Sequence, residues 1–93
     1  MDRQDIAQTR ALQALGWLAT QDGLLDAFLN NSGASLEDVR RNAGDPAFLA
    51  GVLDFVLMQD DWVLSCAEAL SCPPQTLVED RAVLGGGDQM HWT

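Results

Sequence analysis

The residues best suited to chemistry are few in this chain, and their spacing works against them. Cys66 and Cys72 are the only thiols and His91 is the only imidazole. A thiol nucleophile needs a base within hydrogen-bond reach, and His91 meets that need only if the tail folds back onto Cys66 or Cys72. Six residues separate the cysteines, which on a continuous helix is about 9 Å of rise and too far for a disulfide. Only a turn near Ser71 brings them together, so both are expected as reduced, mostly buried thiols. Two cysteines and one histidine also fall short of a structural zinc set, and no Cys-x-x-Cys or His-x-x-x-His spacing occurs.

The remaining motifs read as helix furniture. Asp60-Asp61 could be imagined as paired carboxylates, but directly before a helix they serve as its cap and first-turn anions. The run Gly85-Gly86-Gly87 leads into Asp88 rather than a Lys and a helix start, the reverse of a phosphate cradle. Arg40-Arg41 fits the last turn of a helix as a cation pair facing the dipole. The stretch LLDAFLNNSGASLEDVRRNAG has the outline of a helix-turn-helix, yet Glu37 and Asp38 stand where base-contacting residues belong and would repel phosphates. No catalytic, cofactor-binding or metal-ligating residue is therefore assigned, and no cofactor is expected.

Ninety-three residues supply one modest core, and 47% hydrophobic against 20% charged residues is a composition that folds. The expectation is one domain over 1–93, with a frayed start at 1–4 and a Gly-rich tail at 85–93. Fourteen Asp and Glu against five Arg give a net charge of -9. That balance argues against nucleic acid and against anionic membrane, both of which need a cationic face. The polar start MDRQDIAQTR has no signal-peptide stretch, and Asp54 and Asp60-Asp61 interrupt the longest apolar window, so a cytoplasmic location is expected.

The elements that must carry these residues are helical. Gly33, Gly44 and Gly85 follow apolar periodic segments, Ser35 with Asp38 resembles a capping box, and Asp45-Pro46 gives a cap followed by proline at the first helical position. These marks predict helices over 5–20, 23–31, 36–43, 46–59, 61–70 and 74–84. With no alternating β-branched run, the class is all-α: a compact bundle of five to six short helices. Phe48, Leu49, Val52, Leu53 and Val56 form the expected stripe of the fourth helix, against Leu12, Leu15, Leu18, Leu25, Phe28, Leu36 and Val63. That helix is apolar on nearly every face, which predicts burial all round.

The chain also repeats itself. ALGWLATQD at 14–22 and VLDFVLMQD at 52–60 share an apolar run, a central aromatic and Gln-Asp, and at the same 38-residue offset Leu24, Leu25, Phe28 and Leu29 fall on Trp62, Val63, Cys66 and Ala67. Past Pro73-Pro74 the offset becomes 41, matching Leu36, Arg40, Ala43 and Gly44 to Leu77, Arg81, Leu84 and Gly85, while Val39 opposite Asp80 does not match. Two units are too few for a solenoid and predict a closed bundle of two pseudo-symmetric three-helix halves. Internal duplication and the general likeness of amphipathic helices both produce such a pattern.

ALQALGWLA near the start, DPAFLAGVLDF in the middle and GGDQMHWT at the end resemble a small bacterial family known as domain of unknown function 3572, over about Ala11 to Thr93. The resemblance implies an all-helical fold and, since that family has no assigned activity, no chemistry. Gly85 departs from it, standing where such relatives are expected to carry proline. Two classes of function remain. One is a non-catalytic protein-interaction module, its tail residues Met90, His91, Trp92 and Thr93 contacting a protein partner or a second copy, or else closing the bundle. The other is a small enzyme or ligand binder with an internal pocket.

Overall fold

The structure, a computed structural model, describes residues 2–85. They form six helices in the order α1 Arg3–Thr20, α2 Leu24–Ser32, α3 Leu36–Asn42, α4 Pro46–Val56, α5 Asp60–Ala69 and α6 Pro74–Gly85. No strand occurs among the described residues. The molecule measures 37 × 28 × 25 Å.

Most boundaries follow local chemistry. Asp2 accepts a hydrogen bond from the Asp5 N–H, so α1 starts two residues before the expected Asp5. Ser35 and Asp38 close a reciprocal capping box on α3, in which the Ser35 N–H holds the Asp38 carboxyl below its usual range. Asp45 caps α4 ahead of Pro46. Gly23 and Gly33 bracket α2 in the left-handed region at φ 76° and 78°. Gly44 does not take positive φ: α3 ends at Asn42 with Ala43 in a right-handed conformation.

Two boundaries depart further from expectation. Helix α4 stops at Val56, short of Gln59, because Gln59 is extended and starts α5. Asp60 and Asp61 are thus the first residues of α5 and supply first-turn anions, while Gln59 occupies the cap position without a side-chain bond. At the end of α5, Ser71 takes φ 58°, its N–H donates to Glu68 O and the Cys72 N–H to Ala67 O. This is a Schellman turn with serine where glycine is usual, and it reverses the chain into α6.

The core lies where α1, α4 and α6 pack together, with α2 against α1 and α4, and α5 against all three. Helix α1 contributes fully buried Ala7, Ala11, Ala14 and Leu18 at a spacing of i, i+4, i+7, i+11, a stripe whose small side chains let neighbours approach closely. Helix α4 contributes Leu49, Val52, Leu53 and Val56, and α6 contributes Leu77 and Leu84. Leu12 and Leu36 are corrections: they are 46% and 58% exposed, Leu12 because it turns away from the alanine stripe and Leu36 because α3 is peripheral and buries nothing.

The repeat survives in three dimensions for the first two helices of each half. Positions 14–18 and 52–56 share one pattern, buried at the first, second, fourth and fifth positions and exposed at Gly16 and Asp54. Phe28 and Cys66 are likewise both buried. The third helices break the symmetry, since α6 is central where α3 lies at the edge: Leu77 is fully buried against exposed Leu36.

Candidate functional site

Helix α4 also overturns the expectation of burial all round. One of its faces enters the core, with Phe55 buried at the margin, whereas the other carries Ala47, Phe48, Gly51, Asp54 and, just past its end, Met58. This second stripe forms the floor of a groove of about 450 Å³, whose opposite wall is the end of α2 with Phe28, Asn31, Ser32 and Ala34. Met58 at its rim is 60% exposed and Phe48 is only partly buried.

Aromatic rings pack together beneath the groove, joining wall to floor. Phe28 meets Phe48 and Phe55 edge to face, with centroids 5.8 and 5.6 Å apart, and Phe55 stacks on Trp62 at 4.8 Å. All three phenylalanines of the sequence are in this group. Gly51 lies on the floor, and a Cβ added there would meet nothing within 4 Å. A glycine in mid-helix costs about 0.5 to 1 kcal/mol relative to alanine, and here no close packing requires it. What it does is keep the groove open.

Asp54 is the charged member of the lining, and it accepts a 2.5 Å hydrogen bond from Arg81 Nε on α6. That pairing links α6 to the rim through one carboxylate oxygen, with the Asp54 side chain 56% exposed. The groove can therefore receive an apolar side chain, with the Asn31 amide at its edge, while the Ser32 hydroxyl is engaged locally, donating to Leu29 O and accepting from the Ala34 N–H, and the lining presents no acid-base pair.

The thiols lie elsewhere. Cys66 is buried, and burial together with neighbouring Cys72 pushes its thiol up to about 11. Cys72 is also raised, chiefly by burial, with Arg10 opposing and Asp80 adding to the shift. Both are free and stay protonated at neutral pH, the unreactive form. Among the described residues no group of three or more His, Cys, Asp or Glu is placed to hold a metal ion, and no helix is long and apolar enough to cross a membrane.

Asp80 enters the sequence reading only as a position where the repeat fails. It occupies the middle of the buried stripe Leu77, Asp80, Leu84 of α6, is 6% exposed, and accepts from Arg10 Nε of α1 at 2.5 Å. The i, i+3, i+7 spacing around it was the available signal, since a carboxylate in a core stripe requires a cation. Arg41 pairs with Asp38 on the surface of α3 at 3.3 Å, within the turn where the Arg40-Arg41 pair was expected. The candidate tail contacts Met90, His91, Trp92 and Thr93 lie outside the described residues.

A family model described as protein of unknown function (DUF3572) matches residues 4–87. The match covers both copies of the repeat and every lining residue of the groove, and it stops short of the Met90 to Thr93 ending. No curated protein and no solved structure matches the chain.

Proposed function

We propose, from the premise that the chain belongs to this family of proteins of unknown function, that it is a non-catalytic protein-interaction module whose α2–α4 groove takes an apolar-anchored, net-basic segment of a protein partner. The observation that carries the proposal is the groove between α2 and α4, where partly buried Phe48 and exposed Met58 offer apolar surface above buried Phe28 and Phe55 and Gly51 leaves open space. Aromatic anchors in preformed pockets are the usual source of affinity in such contacts.

The charge selects the kind of partner. At a net charge of -9 the molecule attracts a basic segment, repels nucleic acid, and meets a second copy of itself with the same negative sign. A groove of this volume also falls within the range of small-ligand sites, roughly 300 to 1,000 Å³. Against an enzyme stand its single paired carboxylate and the protonated thiols, which lie outside the lining.

The test is site-specific photo-cross-linking in the protein's own host, with the photoreactive residue at Met58 on the groove rim or at exposed Glu68 on α5. A discrete product from Met58 alone, joined to an apolar and basic segment, supports the reading. No product from Met58, or the same product from both sites, overturns it.

A further inference from the structure

Both cysteines lie at the corner where α5 gives way to α6. Ser71 takes φ 58° there, the one positive value at a non-glycine position among the described residues and a conformation that L side chains rarely adopt. Its N–H donates to Glu68 O at 3.1 Å and the Cys72 N–H to Ala67 O at 3.0 Å. In a turn bonded this way, the residue after the left-handed position comes back against the helix it has just left, three to four places before the end. Those places are Ala67 and Cys66, and the returning residue is Cys72. The turn thus brings to one corner two thiols that a continuous helix would hold apart. Cys72 also packs against the buried cluster that contains Cys66. Cys66 is raised by burial and then by the charge of Cys72, an influence that requires a near neighbour.

We propose that Cys66 and Cys72 are a reversible dithiol–disulfide couple, oxidised by a low-molecular-weight disulfide, in which Cys72 reacts first and Cys66 resolves. The couple stands apart from the groove, whose lining contains neither thiol.

Burial sets the order. Cys66 is 0% exposed, so a reagent in solution does not reach it, and the sulfur it can meet is that of Cys72. Cys72 is only partly buried and lies within electrostatic reach of Arg10 and Asp80. In the first step the Cys72 thiolate attacks one sulfur of the reagent RSSR, forming the mixed disulfide Cys72–S–S–R and releasing RS⁻, which takes up the proton that Cys72 lost. In the second, Cys66 gives up its proton and its sulfur displaces the remaining RS⁻ from Cys72. Two protein thiols become one disulfide, and the reagent is reduced by two electrons to two RSH. Because both thiols are protonated at neutral pH, exchange there is slow, and the couple records a sustained oxidising poise rather than a brief one. The closed form staples α5 to the residues that lead into α6.

The test equilibrates the folded full chain with mixtures of oxidised and reduced glutathione at about pH 8, where exchange proceeds, and reads the intact mass without reductant. Wild type is expected to end as a monomer with an internal disulfide. Cys66→Ala should stop at the glutathione mixed disulfide of Cys72, and folded Cys72→Ala should take up none. In the urea-unfolded chain the internal bond should be at least about tenfold less favoured against the same mixtures, the sign that the turn holds the thiols in a bonding arrangement. A wild type that stops at the mixed disulfide, joins a second copy through a disulfide or stays reduced overturns the proposal. An internal bond equally favoured in folded and unfolded chains does the same, since six-residue spacing alone would then explain it. Glutathione on folded Cys72→Ala would show that Cys66 is open to reagent, and the assigned order falls with it.

Discussion

Arg10 and Asp80, seventy positions apart, meet at 2.5 Å across the packed faces of α1 and α6, with Asp80 enclosed between Leu77 and Leu84 on its own helix. Removing the cation strands a buried carboxylate. Arg10→Ala is expected to cost about 2 to 4 kcal/mol in denaturant melts, whereas the double change Arg10→Met with Asp80→Leu should recover most of that loss. A single-variant loss under about 0.5 kcal/mol would show that water already solvates Asp80.

The two faces of α4 should respond in opposite directions. Leu53→Ala removes a fully buried side chain and is expected to cost about 2 to 5 kcal/mol. Gly51→Leu, two residues away, places its side chain in the groove and should hold stability or raise it by about 0.5 to 1 kcal/mol through helix propensity. Thermal melts of the two variants decide the matter. Comparable losses would mean that Gly51 faces the core.

These two faces also mark what the sequence reveals. Leu49, Val52, Leu53 and Val56 were legible as core because their spacing is helical and their neighbours carry caps, and α1 to α6 were legible from Ser35, Asp45-Pro46 and the glycines. Periodicity records where apolar residues lie, whereas the number of helices available to cover them is settled only by packing. Six short helices leave the edge of α4 at Ala47, Phe48 and Gly51, with Met58 beyond it, without a complete cover, so the groove was not legible. Leu36 and Leu77 hold equivalent places in the repeat yet end at opposite extremes of exposure, because α6 packs into the core and α3 does not. Asp80, the mismatch of the repeat, marks that break.

Alkaline titration should isolate the thiols. The sequence has no Tyr and its five cations are all Arg, so the cysteines are the side chains that lose protons near pH 9 to 11. Because burial raises the Cys66 thiol from 9.0 to about 11, the unfolded chain loses its proton first. Stability is then full below about pH 9 and falls as pH rises toward 11, by roughly 2 to 3 kcal/mol in all. Urea melts across that range should show the decline, and Cys66→Ala should flatten it. An unchanged slope in the variant would place the titrating group elsewhere.

Charge should keep the protein off nucleic acid. At about 50 mM salt, where a cationic binder is tightest, no saturable association with duplex DNA is expected by fluorescence anisotropy. Submicromolar binding would reverse the sign of the partner proposed for the groove.

The most direct measurement of whether the uncovered face of α4 is a docking surface is cross-linking from Met58 in a Gly51→Leu background. That change fills the floor while leaving Leu49, Val52, Leu53 and Val56 in place. The expected result is a folded protein, of equal or higher melting temperature, whose partner product falls at least about tenfold, the signature of about 1.4 kcal/mol or more of lost binding. A folded Gly51→Leu protein that yields the same product at undiminished intensity would contradict it, because the partner would then be resting on some other surface.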